Sequence, residues 1–131
     1  MIRTFIIDGY NVIYAIGEIE ELLDESLEAA RIGLTRLLLE FKGSRKDVGE
    51  VIMVFDGKSE GFDEESVVGP GLKSVYTRKG KEADDKILSI IKASPNPEDI
   101  TVVSNDNFLY NNTRSLGARI MTVEEFCRIL K

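Results

Sequence analysis

The sequence predicts an α/β fold with a mostly parallel central sheet, and two observations carry this prediction. Short runs rich in β-branched and aromatic residues recur along the chain, and each run stops at polar residues. Segments with apolar residues at helical spacing lie between those runs. Strands that alternate with helices favour parallel pairing, with helices covering both faces of the sheet.

Five strands are predicted, and the first of them, IRTFIID, ends in an acid. The five segments are 2–8, 50–56, 73–77, 100–104 and 118–121. Segment 57–72 carries four glycines and a proline, so it is predicted to be an exposed loop.

Four helices are predicted between and after these strands, over 24–42, 82–93, 106–116 and 123–130. In the first, Leu34, Leu38 and Phe41 recur at helical spacing, and Gly43 follows as a stop. The second is followed by prolines and the third by a glycine, which are typical of helix ends. Thr122 begins a capping-box pattern at the start of the last helix.

The composition bounds the class of protein. The 131 residues suit one domain, which we place over 1–131. No apolar run approaches the roughly 20 residues of a membrane span, so we expect a cytoplasmic protein that does not cross a membrane. The net charge of -6 argues against nonspecific coating of nucleic acid by bulk attraction. The single cysteine, Cys127, lies on a predicted helix and is expected to be a structural thiol.

The sequence contains no histidine, and this absence excludes several kinds of site. A Ser-His-Asp triad, a histidine general base and histidine metal ligands are all ruled out. Any hydrolysis would therefore depend on carboxylates, lysine, tyrosine or a metal ion.

Acidic residues stand where several of the predicted strands end. Asp8 ends the first strand, Asp56 ends the second, and Asp106 follows the fourth. Because the carboxyl ends of parallel strands lie along one edge of a sheet, we expect these three acids to converge there. An alternative for Asp8 is that it only caps the following helix, which is a common role of aspartate.

The helix predicted over 82–93 adds further acids to this edge. Asp84 shares the apolar face of that helix, so it is expected to point inward. Asp85 lies to one side and Glu82 lies near the first turn, where both could also act only on the helix dipole.

Close carboxylates predict a bound cation at this edge. Like charges raise one another's pKa, and a divalent cation removes that repulsion. Oxygen ligands without histidine favour Mg²⁺ or Mn²⁺ over Zn²⁺. Such an ion lowers the pKa of a bound water for hydrolysis, and either Asp56 or Asp85 could accept the proton.

Basic and aromatic residues near the same edge are candidates for binding a nucleic acid. The stretch TRKGKE places Arg78, Lys79 and Lys81 before the acidic helix, where they could contact phosphates or form only a solvated turn. Tyr10 either stacks on a base or packs within the fold. Asn105 and Arg114 are further candidates for contacts with the phosphate backbone of a nucleic acid.

Four stretches of the chain together resemble one family of domains. They are DGYNVIY, VFDG, KEADDKI and VVSNDNFLYNNTRSLGARI, and the resemblance runs from residue 2 to about residue 130. They resemble the NYN domains, specifically the YacP-like branch, within the PIN-like nuclease superfamily. EADD and a later strand end of the form S-x-D are also similar to the flap endonuclease and 5′-nuclease branch.

The resemblance implies a three-layer α/β/α fold whose mostly parallel sheet has five strands in the order 3-2-1-4-5. It implies metal-dependent cleavage of RNA phosphodiester bonds and, for some members, association with ribosomes. We expect endonucleolytic cleavage of single-stranded RNA, which on the ribosome would be mRNA, although the sequence leaves an exonuclease mode open. By position, Asp8, Asp84 and Asp106 match the family's metal-binding acids. Asp56 matches the acid that closes the second strand.

Two polar residues also match the family, and one position differs from the related 5′-nucleases. Asn11 matches the asparagine of the motif that names the domain, and Ser104 matches the small hydroxyl residue two positions before the last acid. Phe108 stands where the 5′-nucleases carry a further acid, so the resemblance favours a single metal ion. The alternative hypothesis is a noncatalytic RNA- or ribosome-binding module with a vestigial site.

Overall fold

A computed structural model of the protein describes residues 2–130, with the side chain of Lys58 excepted. Residues 1 and 131 of the expected single domain lie outside these described residues. The strands are β1 (Arg3–Asp8), β2 (Val48–Ser59), β3 (Glu64–Gly69), β4 (Leu72–Arg78), β5 (Ile100–Val103) and β6 (Arg119–Met121). The helices are α1 (Gly9–Ala15), α2 (Gly17–Glu20), α3 (Leu27–Ser44), α4 (Ala83–Ala93), α5 (Asn107–Ser115) and α6 (Val123–Ile129). Short 3-10 turns cover Glu21–Asp24 and Pro97–Asp99.

The strands form one mixed sheet of six strands in the order β3-β4-β2-β1-β5-β6. β1 pairs in parallel with β2 and β5, and the pairs β2–β4 and β5–β6 are also parallel. β3 pairs antiparallel with β4 at one edge. The five predicted segments form β1, β2, β4, β5 and β6, but the prediction of five strands in the order 3-2-1-4-5 is wrong, because an antiparallel edge strand is added.

This added strand, β3, arises from the segment that was predicted to be a loop. Gly71, with a φ of +66°, lets the chain reverse between β3 and β4. β3 is almost entirely exposed, and Val67 keeps 80% of its surface accessible. Because β3 buries neither face, it lacks the apolar alternation that indicates a strand in a sequence.

The four predicted helices form near their expected positions. The prediction that Gly43 stops the first of them is wrong, because α3 continues through Gly43 to Ser44. α3 begins at Leu27 because the Ser26 hydroxyl accepts a hydrogen bond from the backbone N–H of Ala29 at 2.9 Å. α6 begins with the complete capping box of Thr122 and Glu125. The short helices α1 and α2 were not predicted as separate elements. Within residues 2–130, no helix has both the length and the apolar character needed to cross a membrane.

Helices cover both faces of the sheet. On one face, α1, α3 and α6 pack around Phe5, Phe41 and Phe126. On the other face, α4 and α5 pack on β1 around Ile6 and Ile87. Because side chains alternate along a strand, these contacts place Asp8 on the α4 side of β1. The carboxyl ends of β1, β2 and β5 lie along one margin of the sheet, called here the carboxyl edge.

Candidate active site

Asp8 lies at the centre of the carboxyl edge, where β1 ends and α1 begins. It occupies the N-cap position of α1, yet its side chain makes no capping hydrogen bond. Its Oδ2 atom instead accepts a hydrogen bond from the Ser104 hydroxyl at 2.7 Å. The alternative that Asp8 serves as a hydrogen-bonding helix cap is therefore wrong.

The pKa of Asp8 is raised from 3.8 to about 6. Burial of the carboxylate is the largest cause, and the hydrogen bond from Ser104 acts in the opposite direction. The negative charges of Asp106, Asp56 and Asp84 each raise the pKa further. Three acids predicted to lie at this edge therefore stand close enough to Asp8 to repel it.

Ser104 connects the ends of β1 and β5. Its hydroxyl is buried, with 3% of the residue exposed, and donates a hydrogen bond to Asp8. The same oxygen accepts a hydrogen bond from the backbone N–H of Asp106 at 3.0 Å. Ser104 thus orients one carboxylate directly and fixes the backbone that carries another, which is a positioning role.

Two asparagines hold the loop between β5 and α5. Asn11 on α1 accepts a hydrogen bond from the backbone N–H of Asn105 at 2.7 Å through its Oδ1 atom. Asn105 in turn accepts one from the backbone N–H of Val123 at 2.8 Å. Their side-chain oxygens therefore join α1, the loop and α6, so both residues position the site in addition to any contact with a substrate.

The other carboxylates of the edge each accept a hydrogen bond from backbone. Asp106 caps α5 by accepting from the N–H of Leu109 at 3.0 Å. Asp56 accepts from the N–H of Ala83 at 2.7 Å and so satisfies the first turn of α4. Asp84 accepts from the N–H of Asp85 at 2.8 Å. These bonds fix the direction of each side chain, as a partner hydrogen bond orients a ligand in a metal site.

Glu82, at the N-cap position of α4, is coupled to the same group of acids. The charge of Asp84 is the first cause of a raised pKa of Glu82, followed by burial and by the charges of Asp85 and Asp56. The first turn of α4 is thus a strongly negative part of the carboxyl edge.

The acids share one edge without forming a compact shell. Across residues 2–130, no three acidic or cysteine side chains are arranged as a group that could hold a metal ion as they stand. Repulsion between the carboxylates opposes a closer approach. The donor chemistry nevertheless fits a hard divalent cation, because the groups facing Asp8 are carboxylates already directed by backbone hydrogen bonds.

The turn that carries Arg78, Lys79 and Lys81, called here the basic turn, contacts acids of the loop between β2 and β3. Asp63 accepts a hydrogen bond from the backbone N–H of Arg78 at 2.8 Å and forms ion pairs with Arg78 at 3.5 Å, Lys81 at 3.9 Å and Lys86 at 3.1 Å. Its side chain is only 12% exposed, and the backbone hydrogen bond from Arg78 is the first cause of its lowered pKa. Lys79 pairs with Glu60 at 3.5 Å, where both side chains are well exposed. Arg78 and Lys81 are thus paired with a largely buried carboxylate, whereas Lys79 lies in a solvent-exposed pair.

Tyr10 packs on the face of the sheet that α3 covers, whereas Arg114 belongs to α5, which covers the opposite face. Tyr10 packs against Phe55 with ring centroids 4.9 Å apart. Its hydroxyl accepts a hydrogen bond from Arg31 at 3.2 Å. Arg114 lies over the ring of Tyr110 at 5.4 Å on the outside of α5.

Sequence reasoning missed Asp63 and Arg31. Asp63 stands in an acidic stretch of the segment predicted to be a loop, and no local pattern marks it as the partner of three cations. Arg31 lies on α3, more than twenty positions from Tyr10. A charged residue on the face of an amphipathic helix that turns toward the sheet is the one signal that could have drawn attention to Arg31.

The fold and the edge together define a class of protein. A sheet covered by helices on both faces, with carboxylates at the carboxyl ends of its central parallel strands, is the arrangement of PIN-like nucleases. The model of the YacP-like NYN domain matches residues 5–131. The chain therefore belongs to the YacP-like NYN family, a branch of the PIN-like nucleases.

Solved structures support the same assignment of the fold. The chain is similar to the crystal structure of Rae1 (YacP) from Bacillus subtilis, with a TM-score of 0.80, 24% identity, and coverage of 98% of this chain and 74% of that one. For a mutant of that protein the TM-score is 0.78 and the identity 25%, with coverage of 97% and 73%. Among the curated proteins, none matches the chain.

Proposed function

We propose that the chain is a cytoplasmic endoribonuclease that hydrolyses phosphodiester bonds of single-stranded RNA with Mg²⁺ or Mn²⁺. The observation that carries the proposal is the state of Asp8. A half-buried carboxylate with a pKa raised to about 6 and three further acids facing it is costly unless it serves a positively charged ligand. Membership of the YacP-like NYN family supports the same chemistry.

Asp8, Asp84 and Asp106 would hold the cation, which when bound supplies a water of lowered pKa and neutralises charge on the phosphate. Ser104 keeps one oxygen of Asp8 oriented through its 2.7 Å hydrogen bond. Asp56 and Asp85 stand beside these residues and are the candidates for accepting a proton from water. Asn11 and Asn105 maintain the loop geometry that presents Asp106.

The phosphate backbone of the RNA would be bound by the basic turn and by Lys86 of α4. Arg78, Lys81 and Lys86 surround the carboxylate of Asp63, so an RNA phosphate has to compete with that carboxylate for the same cations. Lys79 and Arg114 are more exposed and would contribute weaker, salt-dependent contacts. A message held on the ribosome is the single-stranded RNA that the family resemblance favours.

Cleavage of a circular single-stranded RNA tests the activity and its mode together. A circle has no ends, so its conversion to a linear product in Mn²⁺, with protection by chelator, demonstrates an endonuclease. Asp8→Asn is expected to abolish the product, while the matched control Asp24→Asn, at an exposed acid on another part of the surface, retains it. Binding of the RNA without cleavage by the wild type would instead favour the noncatalytic module.

A further inference from the structure

A cleft of about 190 Å³ opens between α3 and the sheet, on the face opposite to the acids. Its walls include Glu28 and Arg31 of α3 and Phe55 and Tyr76 of the sheet. None of these residues has a role in the carboxyl-edge site described above. The cleft is called here the Arg31 cleft.

Arg31 is half-buried and lacks an acidic partner. Its Nη1 atom donates to the Tyr10 hydroxyl at 3.2 Å, and its guanidinium lies 5.7 Å from the centre of the Tyr76 ring. It forms no ion pair with any carboxylate of the described residues. A planar cation fixed against aromatic rings, with donors left over, is suited to stacking and hydrogen bonding with a flat ligand.

Aromatic rings continue from Arg31 to the carboxyl edge. The rings of Phe55 and Tyr76 stack with centroids 5.3 Å apart and planes 20° from parallel. Tyr10 and Tyr76 are half-buried, so part of each ring faces the solvent. Burial is the first cause of a raised pKa of Tyr76, so its hydroxyl remains a neutral hydrogen-bond donor.

The Arg31 cleft lies next to the acids along the chain. Phe55 directly precedes Asp56, and Tyr10 follows Asp8 by two positions. Because side chains alternate along a strand, Asp56 and Phe55 project to opposite faces of β2. A strand of RNA that crosses the carboxyl edge would therefore pass from the acids to the cleft within a short length.

We propose that the Arg31 cleft binds one unpaired nucleobase of the RNA whose phosphate lies at the acids. The inference rests on the proposed function, which it extends by a subsite for a base. Glu28 lines the cleft and would repel a phosphate, whereas a neutral base can stack on the half-buried ring of Tyr76 and accept hydrogen bonds from Arg31. Phe55 is itself buried and supports the Tyr76 ring from behind. Bases of single-stranded RNA are commonly bound on such aromatic and arginine surfaces.

Nuclear magnetic resonance can test the cleft directly, because the chain is only 14.7 kDa. The ¹⁵N-labelled protein would be titrated in chelator with short single-stranded RNAs of adenine, cytosine or uracil, and with an abasic strand of the same length. We expect shifts at the amides of Arg31, Phe55 and Tyr76 with base-containing RNA and none with the abasic strand. Equal shifts with both strands, or none at the cleft while the carboxyl edge shifts, would overturn the inference.

Variants separate base binding from folding. Arg31→Gln and Tyr76→Leu should each remove the base-dependent shifts, whereas Tyr76→Phe keeps the stacking ring and should retain most of them. The matched control is Arg36→Gln, at an exposed arginine of the same helix. Retained shifts in Arg31→Gln and Tyr76→Leu, with melting temperatures near that of the wild type, would also contradict the proposal.

Kinetics distinguish this inference from the proposed function. In RNA cleavage, Arg31→Gln should raise KM by roughly tenfold, the scale of one lost base stack, with kcat within about twofold of the wild type. If the wild type cleaves RNA but Arg31→Gln and Tyr76→Leu both keep its KM, the proposed base subsite is refuted and the proposed nuclease function stands. Base-dependent shifts at the cleft without any cleavage support the cleft and refute the nuclease proposal.

Discussion

Replacing Asp8 by asparagine should stabilise the metal-free protein. The carboxylate is half-buried and partly desolvated, and the charges of Asp106, Asp56 and Asp84 act against its ionised form. Asparagine has nearly the same shape and can still accept the hydrogen bond that Ser104 donates at 2.7 Å. The substitution therefore removes the repulsion and keeps the local geometry.

The size of the gain follows from the pKa of Asp8, which is 3.8 for the ordinary side chain and about 6 in the folded state. At about 1.4 kcal/mol for each pKa unit, the ionised carboxylate destabilises the folded state by up to about 3 kcal/mol above pH 6. This penalty is absent below pH 3.8, where the group is protonated in both states, and it grows as the pH rises through about 6. For 131 residues, 3 kcal/mol corresponds to about 10 °C in Tm.

Urea unfolding in chelator at pH 8 and pH 4 measures the effect. Asp8→Asn should be more stable than the wild type by about 3 kcal/mol at pH 8 and by about 0.5 kcal/mol at pH 4. The two conditions lie on either side of the sequence pI of about 4.8, so the chain carries net charge in both.

Asp63→Asn is the matched control, because the pKa of Asp63 is lowered by its backbone hydrogen bond from Arg78 and by nearby lysines. A lowered pKa contributes stability above 3.8, so this variant should lose stability at pH 8 and approach the wild type as the pH falls. Equal or lower stability of Asp8→Asn at pH 8 would refute the view that Asp8 is repelled by its neighbours.

Further predictions concern the hydrogen bond from Ser104 to Asp8, RNA binding by the basic turn, two glycine positions and the binding of Mn²⁺. Ser104→Ala removes the hydrogen bond that lowers the pKa of Asp8, so the pH midpoint of RNA cleavage should move upward, and stability should fall by about 1–2 kcal/mol in urea unfolding. Asp63→Asn releases Arg78, Lys81 and Lys86, so RNA should bind more tightly and with a steeper salt dependence in fluorescence anisotropy; an unchanged slope would show that these cations do not meet phosphate. Gly57→Ala should destabilise the protein by about 1–3 kcal/mol, because its Cβ would overlap the carbonyl oxygen of Thr77, whereas Gly43→Ala in α3, where a Cβ meets open space, should stabilise it by about 0.5–1 kcal/mol. Millimolar Mn²⁺ should raise the Tm of the wild type, since binding to the folded state stabilises it, and Asp84→Asn should reduce that rise; no rise in the wild type would contradict the metal site.

Local sequence patterns predicted five of the six strands of the central sheet. Strand-length apolar runs and helical spacing are short-range signals, and they predicted the segments that became β1, β2, β4, β5 and β6. Apolar runs that stop at an acid also predicted the convergence of Asp8, Asp56 and Asp106 on one edge. The prediction that Asp56 ends the second strand is wrong, because β2 continues to Ser59. In the structure the charges of Asp106 and Asp56 both raise the pKa of Asp8, which agrees with their placement on one edge.

Only the tertiary structure decided the properties that depend on contacts between distant segments. β3 buries no face, so no apolar pattern in the sequence predicts it. The hairpin that it forms with β4 brings Asp63 close to the cations of the basic turn. The raised pKa of Asp8 requires burial and charges from three other elements, and Arg31 meets Tyr10 and Tyr76 only once α3 packs on the sheet. Residue types and periodicity encode which elements form, whereas ion pairing, stacking and desolvation depend on distances that exist only after the chain has folded.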